Sequence, residues 1–315
     1  MATVIVNGIS VGSFLESNSV NLSETFDDIS YTAKLTLKLP ENSKHLPIGQ
    51  GDSIEINTKD GNVFNGVVWS YDDDELHHKT INLSCKERTV YMEQSEDQFL
   101  FKAGTTATQR AMEICSKWGI PTGIMIDTGV GLAATPPLTG NIHEILISFL
   151  KETAQKGGGL FKFRMGAGLD LVSVGYFTHN IDEIERIHRS ESLQGAVTQV
   201  KVIGSKDTGT RGAVSGTYSN GTSKVGTMQR VVTESLATTG GDANTVAQST
   251  FTLGKRNINF DAIDNPFIRC GDGVFTPDGY FIVSSITHVI GDPGHMHVEV
   301  MTEENIKGEF FSNEK

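Results

Sequence analysis

The sequence predicts a mainly β protein with an α+β insert. Two related antiparallel β-barrel domains are expected to flank a small domain of two helices and a hairpin. Three observations carry this expectation. One short pattern occurs twice, far apart in the chain. Runs of alternating apolar and polar residues bounded by turn residues fill both ends. Helical periodicity with capping signals is confined to the middle. The expected divisions are 1–100, 101–190 and 191–315.

The repeated pattern reads Ile48-Gly49-Gln50-Gly51-Asp52-Ser53-Ile54-Glu55-Ile56, then Asp60-Gly61-Asn62-Val63-Phe64, then Val67-Val68-Trp69-Ser70. Its second occurrence reads Ile268-Arg269-Cys270-Gly271-Asp272-Gly273-Val274-Phe275, then Asp278-Gly279-Tyr280-Phe281, then Val283-Ser284-Ser285-Ile286. Each copy describes a turn, a short alternating strand, a tight Asp-Gly hairpin and a longer apolar strand. The structural signature is therefore Gly51, Asp52, Asp60 and Gly61 in one copy and Gly271, Asp272, Asp278 and Gly279 in the other.

In the first division, Tyr31 to Leu39 alternates, with Ala33, Leu35, Leu37 and Leu39 on one face and Lys34 and Lys38 on the other, and Pro40 ends it. Ser53 to Thr58 and Val63 to Tyr71 form the first hairpin. Lys79 to Ser84 adds a strand with Ile81 and Leu83 inward. In the second division, Thr106-Ala107-Thr108-Gln109 matches a capping box. Behind it Ala107, Ala111, Ile114, Cys115 and Trp118 share one helical face, and Gly119 and Pro121 stop the helix. Asn141 caps a second helix with the stripe Ile142, Ile145, Leu146, Phe149 and Leu150, ended by Gly157-Gly158-Gly159. Leu160 to Met165 and Leu169 to Val174 make a hairpin around Gly166-Ala167-Gly168. In the third division, Val197 to Val202 alternates. Gly204 to Gly226 is rich in Gly, Ser, Thr and Asn and reads as a long hairpin or a mobile loop. This segment and the N-terminal strand are expected to make contacts between subunits rather than a core of their own. Asp242 to Gly254 is read as a helix, and Met296, Val298 and Val300 lie on a last alternating strand.

Composition narrows the function classes. The 315 residues carry a net charge of −12, which disfavours tight binding of nucleic acid, because phosphate contacts need Lys and Arg. The N-terminus, Met1 to Asn7, has no basic region followed by an apolar run and reads as a first strand rather than a signal peptide. No stretch has the apolar length of a membrane span, so no direct membrane insertion is expected. Cys85, Cys115 and Cys270 show no paired spacing and are expected to be reduced, buried thiols.

No catalytic, cofactor-binding or metal site is expected. P-loop, GxSxG, HExxH and EF-hand patterns are absent. His143-Glu144 lacks a second helical histidine. His295 and His297 share a strand face, yet no nearby ligand completes a metal site. His77-His78 reads as surface. Asp72-Asp73-Asp74-Glu75 lacks the Gly and distal Glu of a Ca²⁺ loop and reads as a solvated turn. Asp182, Glu183 and Glu185 form a short polar segment without the facing geometry of a glycosidase pair. The Gly157 to Gly159 run reads as a helix stop rather than a phosphate cradle.

Two segments carry a family resemblance. One is Gly51-Asp52-x-Ile54-x-Ile56 with Asp60-Gly61-x-x-Phe64-x-Gly66-x-Val68. The other is Ala243-x-x-x-Ala247 leading to Asn265-Pro266-Phe267-Ile268-Arg269-Cys270-Gly271-Asp272 and Tyr280-Phe281-x-Val283-x-Ser285-x-x-His288. Together they resemble the XkdQ-like baseplate hub proteins of contractile phage tails and phage-tail-like particles, including defective prophages and R-type bacteriocins. The resemblance implies a structural homotrimer, assembled in a bacterial cytoplasm; some such hubs carry a fused lysozyme or peptidase domain, but no segment of suitable length or catalytic pattern remains here, so no enzymatic activity is expected. Its two tube-like β-units per chain would present six to a sixfold tail tube and a threefold face to a spike. Tail tube, spike, tape-measure and other baseplate proteins would be its partners. A peptidoglycan-degrading tail-tip enzyme is the alternative. A self-polymerising tube protein would need only one β-unit, and a carbohydrate-binding tip would favour clustered aromatics, whereas the chain has 2 Trp and 6 Tyr.

Overall fold

Period-two burial runs through the first unit. The structure, a computed structural model, describes residues 2–40, 46–74, 79–204, 213–233, 243–252 and 254–311. The unit comprises β1 (Thr3–Val6), β2 (Ile9–Ser10), β3 (Val20–Thr25), β4 (Thr32–Leu39), β5 (Ser53–Thr58), β6 (Gly61–Asp74) and β7 (Lys79–Lys86). On β4, Ala33, Leu35, Leu37 and Leu39 are buried while Lys34 and Lys38 are exposed. With Leu22, Ile54, Ile56, Phe64, Ile81 and Leu83 they form one apolar core. Burial of such side chains, each contributing about 1.5–3 kcal/mol, fixes which face of each strand turns inward. Asp72, Asp73 and Asp74 lie on β6, so this acidic run is strand and not the expected turn. His77, His78 and Glu75 lie outside the described residues.

The middle region comprises α1 (Val90–Glu93), β8 (Glu96–Phe99), α2 (Ala107–Trp118), β9 (Thr122–Met125), β10 (Leu138–Asn141), α3 (Ile142–Gln155), β11 (Phe161–Met165) and β12 (Leu169–Ser173). Thr106 and Gln109 close a reciprocal capping box on α2, and Gly119 ends the helix in the left-handed region at φ 63°. The Asn141 side chain accepts from the Glu144 N–H at the start of α3. All five stripe residues of α3 are buried. Trp118 departs from the expected face: it is 42% exposed, and its indole N–H donates to Asp97 at 2.8 Å. It lies in the last turn of α2, where the helix has passed the edge of its core. The strands order β11-β12-β9, the last pairing parallel.

The chain continues with β13 (Thr178–Asn180), β14 (Ile184–Ser192), β15 (Gln199–Ile203), β16 (Val214–Ser219), α4 (Thr222–Val225), β17 (Gln229–Thr233), α5 (Ala243–Thr250), β18 (Lys255–Ile263), β19 (Gly273–Thr276), β20 (Gly279–Ile290), β21 (His295–Met301) and α6 (Glu303–Phe310). Met296, Val298 and Val300 are buried on β21, and with Ile258, Phe260 and Ile286 they belong to a second core. The two β-units are not separate sheets. One sheet runs β14-β18-β21-β20-β3-β4-β7-β6-β5-β1-β2, with β19 on β20 and β13 on β19. Every pair along the main path is antiparallel. β13 pairs parallel to β19. An isolated bridge from Leu15 to Leu37 brings the chain beyond β2 back to β4.

The Gly/Ser/Thr-rich segment is strand in part. Residues 214–219 form β16, which pairs antiparallel with β15, while β17 pairs parallel with β15. Val200, Val202, Ala247 and Phe251 are buried together beneath this three-stranded sheet. The segment thus shares a small core, supplied by its neighbours Val200 and Val202 and by α5, which its own composition could not disclose. Residues 205–212 lie outside the described residues.

This small sheet is inserted at the tip of a hairpin, because Ser192 on β14 pairs with Lys255 on β18. The two chain ends that the insert joins are therefore already neighbours. Replacing residues 193–254 with a two-residue Asn-Gly turn is expected to leave the large sheet folded, because such a turn matches the twist of antiparallel strands. Circular dichroism and urea denaturation check this: the shortened chain should keep one cooperative transition. Phe260→Ala, which empties a fully buried ring position, should instead lower global stability by about 3–5 kcal/mol.

Candidate assembly surface

The two copies of the repeated motif have the same hydrogen bonds. Gly51 and Gly271 sit at φ 87° and φ 89°, a region that favours glycine. The Gly51 N–H donates to Val68 O, and the Gly271 N–H donates to Val283 O. The Val68 and Val283 amides donate back to Asp52 O and Asp272 O. Each aspartate carboxylate accepts an N–H three residues upstream, Gly49 N at 2.7 Å and Arg269 N at 2.9 Å. At the hairpin tips, Thr58 and Thr276 hydroxyls donate to Gly61 O and Gly279 O, and accept from the Asp60 and Asp278 amides. In both units the ladder to the next strand slips by one residue at the same place, between Val68 and Ser70 and between Val283 and Ser285.

The units join where β20 pairs with β3, from Ser285 opposite Thr25 to Ile290 opposite Val20. A buried ion network lies against this seam. The Arg269 guanidinium donates to Glu24 at 2.8 and 3.3 Å and to Glu87 at 3.0 and 3.1 Å. It lies 3.9 Å from the centre of the Tyr31 ring. The Cys270 N–H donates to the Glu24 carboxylate at 3.0 Å. Burial would raise the Glu24 carboxyl, but Arg269, Lys162 and these hydrogen bonds hold it down at about 2. Glu87 goes the other way: its burial outweighs the pull of Arg269, and Glu24 adds repulsion.

The middle region docks on the same seam. The Lys162 ammonium donates to Phe26 O at 2.8 Å and Asp28 O at 3.0 Å, and stands 3.6 Å from Glu24. Asp272 accepts from Arg164 at 2.8 Å and lies 3.3 Å from His179 Nε2. Its counterpart Asp52 keeps the local turn bond to Gly49. Sequence reasoning does not single out Glu24, Glu87, Arg269 and Lys162 as a cluster. The available signal was Glu24 on the inward side of the alternating run Val20-Asn21-Leu22-Ser23-Glu24; its partner Arg269 is 245 residues away.

The titratable residues considered singly stay apart. His295 lies 3.4 Å from Glu185, and His297 lies 2.7 Å from Asp261, both exposed on β21, a strand paired on both sides. His143 is pushed down to about 4 by burial and by Lys162, and its Nε2 has no hydrogen-bond partner. Asp182 and Glu183 are exposed in the link between β13 and β14. No group of three or more His, Cys, Asp or Glu side chains is placed to hold a metal among the described residues. Among those residues no helix is long and apolar enough to cross a membrane. All three cysteines are free and buried, with the Cys85 thiol pushed up to about 12 by burial.

This fold is shared with phage tail proteins. The 43 kDa tail protein of prophage MuSo2 from Shewanella oneidensis superposes with a TM-score of 0.74 at 14% identity, over 96% of this chain and 98% of that one. A tail protein from Neisseria meningitidis MC58 gives 0.68 at 11% identity, over 98% of both chains. The Escherichia coli c3393 protein, described as a type VI secretion component similar to the phage T4 tail proteins gp27 and gp5, gives 0.60 at 8% identity, over 95% of this chain and 76% of that one. No curated protein matches in sequence. Residues 25–301 match the YQBQ-like family, and the chain belongs to it.

Arg269→Met should cost about 3–5 kcal/mol, because it strands two buried carboxylates without their cation. Adding Glu24→Gln and Glu87→Gln should recover much of that loss, and urea denaturation measures both. The depressed Glu24 contributes stability that is complete above its ordinary value of 4.5 and lost as pH falls toward about 2. The decline of the urea midpoint across that window should be shallower in Glu24→Gln.

Proposed function

We propose that this protein is a structural component of a phage tail or tail-like particle. In this reading it is a trimeric hub that adapts a sixfold tail tube to a threefold spike. The observation that carries the reading is the internal duplication: one chain holds two β-units with matching turns, joined side by side in one sheet. Three such chains supply six similar units, which is what a symmetry adaptor between six and three requires. The likeness in fold to tail proteins supports the tail setting, and the c3393 likeness supports a place near a spike. The finer reading is a baseplate hub of the XkdQ-like kind, in a contractile injection particle or R-type bacteriocin. Its proposed partners are the tail tube, spike, tape-measure and other baseplate proteins, with assembly in the bacterial cytoplasm.

A scaffold accounts for the chemistry better than a peptidoglycan-degrading tip enzyme. The strongest electrostatic cluster, around Arg269, is buried and saturated by its own partners. A catalytic group needs access to substrate, and this network has none.

A density map of the particle tip should contain three copies of this chain; six equivalent copies would overturn the adaptor reading. Purified protein should not clear a peptidoglycan suspension, and His143→Ala and His295→Ala should leave particle function intact. Lysis abolished by either substitution would favour the enzyme.

A further inference from the structure

Strand β21 alternates strictly. Met296, Val298 and Val300 are buried, while His295 and His297 are exposed on the outer face of the large sheet, with Glu299 next along that face. Successive outward residues of a strand stand about 6.5–7 Å apart, so the two imidazoles lie side by side. Each meets a carboxylate from another strand, and each meets it with the same ring atom. His297 Nδ1 is 2.7 Å from Asp261, which stands directly opposite on β18. His295 Nδ1 is 3.4 Å from Glu185 on β14, one strand further out. That reach depends on an irregularity. The ladder between β14 and β18 shifts register between Ile184 and Arg186. Ile184 and Ile187 both pack against the core although they are three residues apart, which leaves Glu185 and Arg186 together on the exposed side. A bulge of this kind re-aims a side chain, and here it aims a carboxylate at a histidine.

An ionised carboxylate only accepts hydrogen bonds, so the Nδ1 that faces it carries the hydrogen. The lone pair of the neutral ring is then on Nε2. Among the described residues both rings make their polar contacts at Nδ1. A carboxylate on one ring nitrogen is the usual support of a histidine that binds metal through the other: it fixes the tautomer and the ring orientation and raises ligand basicity. We propose that His295 and His297 form a two-histidine site for a borderline divalent transition metal such as Zn²⁺, bound through both Nε2 atoms, with Glu185 and Asp261 as orienting carboxylates. Two nitrogens on one tetrahedral Zn²⁺ stand about 3.3 Å apart, so the rings have only to lean together. Water completes the coordination, and no third protein ligand is needed. Glu185, Asp261 and Glu299 outweigh the one nearby cation, Arg186, which faces Asp261 across the ladder, so the local field favours a cation. Imidazole ligands select Zn²⁺, Ni²⁺ and Cu²⁺ over Mg²⁺ and Ca²⁺. The site stands whether or not the chain is a tail hub.

Calorimetric titration of the chelator-treated full chain tests the site. One Zn²⁺ per chain is expected, with Cu²⁺ bound more tightly and Mg²⁺ not bound. His295→Ala together with His297→Ala should abolish binding. Asp261→Ala should weaken it roughly tenfold or more. His188→Ala, and His77→Ala together with His78→Ala, should leave it unchanged. The substituted positions of the site are exposed, and circular dichroism checks that each variant is folded. Electron paramagnetic resonance of the Cu²⁺-loaded protein supplies a second readout: two coordinating imidazole nitrogens in the parent chain, and one in either single histidine variant. Zn²⁺ binding that survives the double histidine variant, that is lost only in the His77 and His78 variant, or that is indifferent to Asp261→Ala would overturn the inference.

Discussion

The constraint on which the rest of the structure depends is a single guanidinium. Arg269 leads into the second copy of the repeated turn, yet its two carboxylate partners, Glu24 and Glu87, belong to the first unit. Lys162 from the middle region stands against the same Glu24. Three parts of the chain therefore meet at one buried charge cluster. Such a cluster adds little net stability compared with an apolar replacement, because desolvation offsets most of the attraction. It does penalise error. A slip of β3 against β20 by one residue would turn Glu24 to the other face and leave Arg269 with half its partners. The seam between the units is thus held in one register by the cost of the alternatives, while the apolar cores on either side supply the bulk of the favourable energy.

The duplicated turn shows how one local solution serves two ends. At Gly51-Asp52 the aspartate only closes its own turn, through Gly49. At Gly271-Asp272 the same geometry is kept, and the carboxylate also takes Arg164 and lies beside His179. Backbone demands explain the shared part: a positive φ calls for glycine, and an amide left by the bend calls for a nearby acceptor. The added contacts are specific to the second unit, because only there does the middle region pack against the turn. Gly271 itself is constrained twice, since a Cβ at this position would stand 3.0 Å from the Lys162 side chain.

Much of the fold was legible because it follows from periodicity. The alternation of Ala33 to Leu39, the stripe of Ile142 to Leu150 and the capping signals of Thr106 and Asn141 each involve residues close in sequence. The failures have a common physical origin. Trp118 fits the helical angle of its stripe, but angle does not say where the opposing core ends. The stretch 204–226 is polar, but its composition does not reveal that β16 pairs with β15, whose Val200 and Val202 bring the apolar surface. Asp72 to Asp74 look like a turn by charge, yet they extend a strand whose pairing with β7 is set by register. The Arg269 cluster was hidden for the strongest version of this reason. Its members are ordinary charged residues one at a time, and only the pairing of β20 with β3 brings them together.

The two units are not equally equipped at equivalent positions, and the difference follows from single residues. Within the chain, Glu24 on β3 meets Arg269. Following the paired strands outward from the shared ladder slip, the place of Glu24 is taken by Glu191, and at the repeated turn the place of Arg269 is taken by Gly49, which has no side chain to offer. Glu191 instead lies 3.4 Å from Arg256 of its own neighbouring strand, on the surface. The intrachain seam therefore carries a desolvated, geometry-demanding ion cluster that the outer strand β14 does not have. Exposed pairs contribute less than about 1 kcal/mol and weaken with salt.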